Sequence, residues 1–457
     1  MTSNDMNKIP YILFFTVVTI PFLTGPMVGM PRSLNIVVEL FSALVFLTIL
    51  AYGAYHKKLS ISIKYVLLFF FICFHFLIGA VVNGVEPTTI IAGIRNYFKY
   101  LPLFLLPLVY EYNDNDIKRQ LYVLLILGMF QFPIALFQKF VLSVHPDIVA
   151  GTFGIGSIMS LYLVCSIVIL TGFYFKERIN GRMLAILIPF LFIPTTINES
   201  KGTLFLMLLG LIVVMLSVRL KKSHVAMAVG ALVVMLSTFT FIYNQSYTVG
   251  GKESLLDFML DLDQGIGFYL YSGDSTAIDT GNALESSSSV IGAKSQIEAD
   301  NYKIRRVDAF ILPIRVLGEE PVKLMVGLGL GNASESSLKR FGFSGQYAFL
   351  SKLTEAMPAL PNLLWEIGVL GVLLFLVFCF FVFWDSRLLA KSEDNSGVLA
   401  VGWMGVVVII VLSLPYKNVM VFEAPSALFW YLSGYIVASC SRLRKEKALE
   451  NNVYQRY

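Results

Sequence analysis

The chain has 457 residues, 56% of them hydrophobic and 14% charged, with mean hydropathy +0.73 and formal net charge +5. A soluble globular chain carries about 25% charged residues, so this composition excludes that class. The basic residues are scattered among short loops and carry no nucleic-acid signature.

Apolar runs near 20 residues recur along the sequence, each about long enough to cross a hydrocarbon core. The expectation is an all-α, polytopic helical membrane protein. The first apolar run starts at Ile9 and lacks a small-residue cleavage site, so no cleavable signal peptide is expected. Twelve spans are predicted, at 9–29, 33–55, 63–83, 94–111, 119–142, 154–174, 181–197, 201–218, 224–243, 360–384, 397–416 and 425–441. Residues 1–243 thus hold nine helices, 244–359 form one large external loop, 360–441 hold three helices, and 442–457 form a tail. Cys73, Cys165, Cys379 and Cys440 all fall inside apolar runs, which makes them core residues rather than disulfide or metal partners.

Lysine and arginine in short loops set orientation. Nineteen of the 35 fall on one side: Lys8; Lys57, Lys58, Lys64; Lys118, Arg119; Lys176, Arg178, Arg182; Arg219, Lys221, Lys222; Arg387, Lys391; Arg442, Arg444, Lys445, Lys447 and Arg456. That side is assigned as cytoplasmic, with both termini inside. Ten more lie in the long loop, and Arg32, Arg95, Lys99, Lys139, Lys201 and Lys417 remain at external loops or span ends. Charges in or beside a membrane are expensive and usually functional or paired. "GIRNYFKYLP" places Arg95 and Lys99 at i and i+4, on one helix face.

"NESKGTLFLMLLGLIVVML" (198–216) puts Lys201 at the border of the eighth span, with Glu199 two residues before it. Two readings stand. The lysine is a snorkelling anchor or pairs with Glu199, or it is a point charge for a phosphate held at the outer leaflet.

In the external loop, "SGDSTAIDTGNALESSSSVIGAKS" reads as irregular. "IRRVDAFILPIRVLGEEPVKLMVGLGLGN" reads as an amphipathic helix at the membrane surface, a turn at Gly318–Pro321 and a glycine-rich loop. Val307, Phe310, Ile311 and Ile314 share its apolar face. "GLGLG" (327–331) has the wrong spacing for a dinucleotide fingerprint and serves a tight backbone turn instead. Pro358 and Pro361 suit the start of the next helix. Glu366, two turns into that helix, faces the bundle interior, either as an interhelical hydrogen-bonding residue or as a catalytic one.

In order, these segments resemble the O-antigen ligase and polymerase superfamily, the Wzy/WaaL-like membrane glycosyltransferases with a GT-C-like architecture. "ALFQKF" followed by "DIVAGTFGIGSIMSLYL" resembles the family's glutamine-ended helix and Gly-Thr-Phe segment. "ESKGTLFLMLLGL" is similar to its Ser-Arg-Gly segment, with Lys201 in place of arginine. "RVDAFILPIRVLGEEPVKLMVGLGLG" resembles the loop helix that begins on arginine, with Arg306 rather than Arg305 at the matching position. "NLLWEIGVLG" resembles the closing motif of a glutamate and two glycines. The likeness covers residues 120 to 380. Met357 stands where the family's closing motif carries a histidine. Of His56, His75, His145 and His224, only His145 falls in an external segment, and this pattern is more similar to the polymerases than to the ligases.

The resemblance implies a bacterial inner-membrane enzyme with its large loop in the periplasm. It also implies a substrate, a polyprenyl-diphosphate-linked oligosaccharide that serves as donor and acceptor, with a flippase and a chain-length regulator as pathway partners. Such a donor already carries its leaving group, so neither nucleotide cofactor nor metal is expected. Lys201, Arg306, Arg305, Arg95 and Lys99 would bind the diphosphate, and Arg306 would also stabilise the departing charge. Glu355, Glu366 and His145 are the candidates for a base. A ligase acting on a lipid A core, or a flippase, would also fit twelve spans, although no internal repeat links the two halves.

Overall fold

Apolar segments in hydrocarbon must close their backbone hydrogen bonds internally, and this chain does so with helices. The computed structural model describes residues 3–25, 27–57, 59–145, 148–198, 200–218, 221–248, 306–334, 345–352, 358–417 and 423–454. Among them are α1 (Ser3–Thr24), α2 (Ile36–His56), α3 (Ile63–Val82), α4 (Pro87–Phe98), α5 (Leu101–Val109), α6 (Asp114–Leu136), α7 (Gly156–Phe175) and α8 (Gly181–Ile197). They continue with α9 (Lys201–Ser217), α10 (Lys222–Thr248), α11 (Arg306–Gly318), α12 (Pro321–Val326), α13 (Ala359–Leu389), α14 (Asn395–Ser413) and α15 (Glu423–Tyr454). No strand occurs among the described residues. Eight of the helices are long and apolar enough to cross a membrane. The chain is a polytopic helical membrane protein.

The expected fourth span, 94–111, is not one helix. α4 begins earlier, at Pro87, and stops at Phe98, while α5 starts at Leu101. Pro102 has no N–H to return to the preceding turn and falls in the first turn of α5, a position that favours a new helix start there. Lys99 is therefore the C-cap of α4, not a residue inside a helix face shared with Arg95.

α7 and α14 form the buried centre, and α9 packs against both. Small residues let these backbones approach: a Cβ on Gly172 of α7 would lie 2.8 Å from the Gly402 nitrogen of α14. α5 lies along α15, and α13 packs on α3, α14 and α15. α2 and α3 turn Leu40, Leu44, Leu47, Phe70, Phe74 and Leu77 outward as an apolar belt.

α11 has a packing face that the sequence reading did not include. Its buried residues are Ala309, Leu312, Val316 and Leu317, packed with Leu328 and Trp365. Ile311 and Ile314, on the apolar face read from the sequence, are 44% and 52% exposed. The helix is apolar on two sides, and the large Trp365 ring takes the side with the small Ala309.

Ion pairs and hydrogen bonds gather the basic loops at one end of the bundle. Asp385, almost fully buried, accepts from Lys64 Nζ (2.7 Å), Arg444 Nη2 (2.7 Å) and Tyr65 Oη (2.8 Å). Lys176 pairs with Glu393 at 3.2 Å, Lys221 with Glu177, and Arg442 with Glu111 at 3.3 Å. The Asn395 amide donates to Asp114 at 2.8 Å.

Candidate active site at the glycine-rich end

At the opposite end, besides the Arg95–Glu39 pair, several polar side chains hold backbone groups. α13 breaks at Gly368, whose φ of 61° and ψ of −171° are not helical. A break strips the carbonyls before it of their helical partners, and a buried carbonyl must find another. Three donors do this. The Leu328 amide reaches the Trp365 carbonyl at 2.7 Å, the Gly329 amide reaches that of Glu366 at 3.0 Å, and His75 Nε2 reaches that of Ile367 at 2.8 Å.

The "GLGLG" loop can do so because Gly327, Gly329 and Gly331 all have positive φ (73°, 94° and 83°). A Cβ on Gly327 would lie 2.5 Å from the Glu366 carbonyl carbon, so the contact is also steric. Glu366, fully buried, accepts from the Gly331 amide through Oε2 at 3.0 Å. The hydroxyls of Tyr97 and Ser334 lie beside this carboxyl, 3.3 Å from each other. Asn83 Nδ2 donates to the Gly327 carbonyl at 3.0 Å.

A second junction fixes residues 149–154. After α6, a π-helical turn (Phe137–Val141) turns Gln138 inward. Its Oε1 accepts from the amides of Ala150 (3.0 Å) and Gly151 (2.9 Å), and its Nε2 donates to the Gly151 carbonyl at 2.9 Å. Gln131, two turns earlier, accepts from the Thr152 amide at 2.8 Å. Asn198 Nδ2 donates to the Val149 carbonyl at 2.7 Å, which ties this loop to the end of α8. A cavity of about 260 Å³ opens beside it, between Phe22, Met27, Gln138 and Gly151.

α9 starts three residues after Asn198. Its N-cap Ser200 makes no side-chain cap bond, and its buried hydroxyl has no hydrogen-bond partner among the described residues. The Tyr416 ring closes against Gly202. α13 starts alongside, its first amides donating to the carbonyls of Lys417 (3.3 Å) and Leu414 (3.0 Å). At the basic end α8 is capped by Asn180, which accepts from the Met183 amide, and α14 by Asp394, which accepts from the Gly397 amide, both at 2.8 Å, while α3 starts on Ser62 without a side-chain cap. An uncapped helix start presents amides and the positive end of the helix dipole, which suits an anion.

No protein-family model matches this chain, and no curated protein matches it.

The residues singled out from the sequence distribute as follows. Lys201 is the first residue of α9 and Arg306 the first of α11. Arg305, Glu355 and Glu199 lie outside the described residues. Arg95 binds Glu39 through two hydrogen bonds, Nε to Oε2 at 2.7 Å and Nη2 to Oε1 at 2.8 Å. Lys99 Nζ lies 5.1 Å from the Tyr100 ring centre. His145 is exposed, between the π-helical turn and the fixed loop. Glu366 is enclosed and held to a backbone amide, a geometry suited to ordering the glycine turn. Gln131, Asn198, Asn83, His75, Tyr97 and Ser334 carry the junctions, and sequence reading did not single them out. Alternating glycines and the near repeat of glutamine at 131 and 138 were the available signals.

Proposed function

We propose that the protein polymerises polyprenyl-diphosphate-linked oligosaccharide units into a surface polysaccharide, at the outer face of a bacterial inner membrane. In this reading the chain crosses the membrane twelve times in a GT-C-like arrangement. The basic end faces the cytoplasm, and residues 244–359 face outward. The observation that carries the reading is the start of α9: an uncapped helix N-terminus with an unpartnered buried Ser200 hydroxyl, at the segment whose sequence resembles the family's Ser-Arg-Gly motif.

A diphosphate placed there would meet helix amides, the Ser200 hydroxyl and Lys201, with Arg306 supplied by α11. Charge-assisted contacts of this kind act on the departing group. The bond from the donor's anomeric carbon to the diphosphate oxygen breaks, the acceptor hydroxyl forms the new bond, and its proton passes to a base. Glu366 positions the glycine turn, which leaves His145 and Glu355 as candidates for that base. The donor supplies the driving force, so no nucleotide sugar enters.

The test is direct. Purified protein in nanodiscs, given only the lipid-diphosphate repeat unit, should build a ladder of longer lipid-linked chains without nucleotide sugar, ATP or an ion gradient. The ladder should persist in EDTA, because side-chain cations carry the neutralisation. No ladder from folded protein and cognate substrate would overturn the proposal. Transport without lengthening would assign a flippase instead, and dependence on a lipid A-core acceptor a ligase. Orientation has its own check: a cysteine at Ser286 should react with an impermeant thiol reagent added from outside.

A further inference from the structure

A second cavity opens on the side of the bundle, reaching from Lys118 at the basic end to Pro425 near the start of α15. It is a narrow slot between α6, α7, α14 and α15, with a cavity volume of about 80 Å³. Along α7 it runs from Leu161 to Phe173. Twelve residues of helix at 1.5 Å each make that about 18 Å. One leaflet's share of a ~30 Å hydrocarbon core is of similar length.

The wall offers nothing to water or a sugar. Tyr162 Oη donates to the Leu124 carbonyl at 2.6 Å, Ser166 Oγ to the Tyr162 carbonyl at 2.9 Å, and Trp403 Nε1 to Ser433 Oγ at 3.2 Å. The polar groups of Tyr162, Ser166 and Trp403 are thus already engaged, a buried water needs two or more free partners, and Tyr122 lies with Lys118 at the exposed mouth. At the mouth, Met183 is exposed and Lys118, one of the basic-end residues, lines the slot. An apolar groove of chain length with a cation at its opening matches one chemistry, a phosphate ester carrying a hydrocarbon chain.

We infer that this slot holds an acyl chain of a glycerophospholipid from the leaflet at the basic end, with its phosphate at Lys118. Its ligand is separate from the donor proposed above, whose diphosphate lies at the other end of the bundle. The chain completes the packing between α6 and α7 on one side and α14 and α15 on the other, because an unfilled apolar slot forfeits dispersion contacts along its whole length.

Trp403 reports on occupancy, since it lines the slot yet is almost fully buried. The full chain is reconstituted in nanodiscs of phosphatidylglycerol with either dibrominated or plain acyl chains. The Trp403 emission, taken as wild type minus Trp403→Phe, should fall at least twofold in the brominated lipid. Trp384, 44% exposed, serves as the positive control for quenching at the lipid-facing surface. Cys165→Phe should fill the slot and restore Trp403 emission, and Ser166→Leu serves if that variant misfolds. Native mass spectrometry should find one phospholipid retained by wild type and lost from Lys118→Glu. Equal Trp403 emission in both lipids would overturn the inference. So would recovery of the emission on adding polyprenyl phosphate, which would assign the slot to the isoprenoid chain.

Discussion

The two ends of the bundle are built by different chemistry. At the basic end charge meets charge: Asp385 gathers Lys64 and Arg444, and Lys176, Lys221 and Arg442 each find a carboxylate. At the glycine-rich end the Arg95–Glu39 pair is joined by neutral amides, a histidine and one buried carboxylate, which hold backbone groups that a broken helix and two tight loops leave open. Ion pairs near water are weak and adaptable. Cages of backbone hydrogen bonds fix positions to fractions of an ångström, which is what a transition state requires. The contrast places rigidity where the proposed chemistry lies and tolerance where the basic loops gather.

The sharpest way to break this comparison is at Gly331. A Cβ there would lie 2.2 Å from the Thr89 carbonyl oxygen, at a φ of 83°. Gly331→Ala should destabilise the protein by at least ~3 kcal/mol, since the left-handed strain of about 1–2 kcal/mol is joined by a backbone clash. Gly84→Ala is the control, with a positive φ of 56° but open space around it. It should lose only about 1 kcal/mol. Thermal unfolding midpoints in detergent measure both.

Next comes Gln138→Leu, which leaves the buried amides of Ala150 and Gly151 without acceptors. At about 1–3 kcal/mol per unsatisfied group, a loss of roughly 2–6 kcal/mol is expected from the same measurement. Raising salt should not change it.

Asp385→Asn should destabilise less despite the burial of Asp385. Its partners Lys64 and Arg444 are 23% and 41% exposed and can turn to water. A fully buried pair loses about 3–5 kcal/mol when one partner goes, and solvent access reduces this to about 1–2 kcal/mol. The difference from wild type should shrink as salt rises. If Asp385→Asn proves more damaging than Gln138→Leu, the assignment of rigidity to the glycine-rich end is wrong.

The smallest effect belongs to Glu177. Its hydrogen bond to Lys221 holds the exposed carboxyl below the usual glutamate range. A depressed folded pKa favours the folded state above the unfolded pKa, and that contribution fades as pH falls through the folded value. Glu177→Gln should therefore lose only the small rise in unfolding midpoint that wild type shows as pH climbs through the acid range.

Helical membrane architecture was legible because apolar runs and short basic loops follow from the bilayer itself. The basic loops do meet in space, as Lys64, Lys176, Lys221 and Arg442 show through their partners. The break between α4 and α5 was also written in the sequence, in Pro102, but Arg95 and Lys99 at i and i+4 suggested continuity. The packing side of α11 was not legible, since both sides are apolar and only the distant Trp365 decides between them. At the site, the turn at Gly327–Gly331 was expected, while its partner Asn83 lies 244 residues away along the chain from Gly327, and His75 holds Ile367 across 292 residues. No local pattern announces such pairs.

The central claim is that the glycine-rich end carries the diphosphate chemistry, and one rate comparison tests it most directly. The initial rate of ladder formation is measured for wild type, Arg306→Ala and Asp385→Asn, with folded protein matched by size exclusion. Loss of a contact that acts on the departing diphosphate is expected to slow Arg306→Ala by about 10²–10³-fold, while Asp385→Asn at the other end stays within a few-fold of wild type. Wild-type rate from Arg306→Ala, or an equal loss from both variants, would contradict the account.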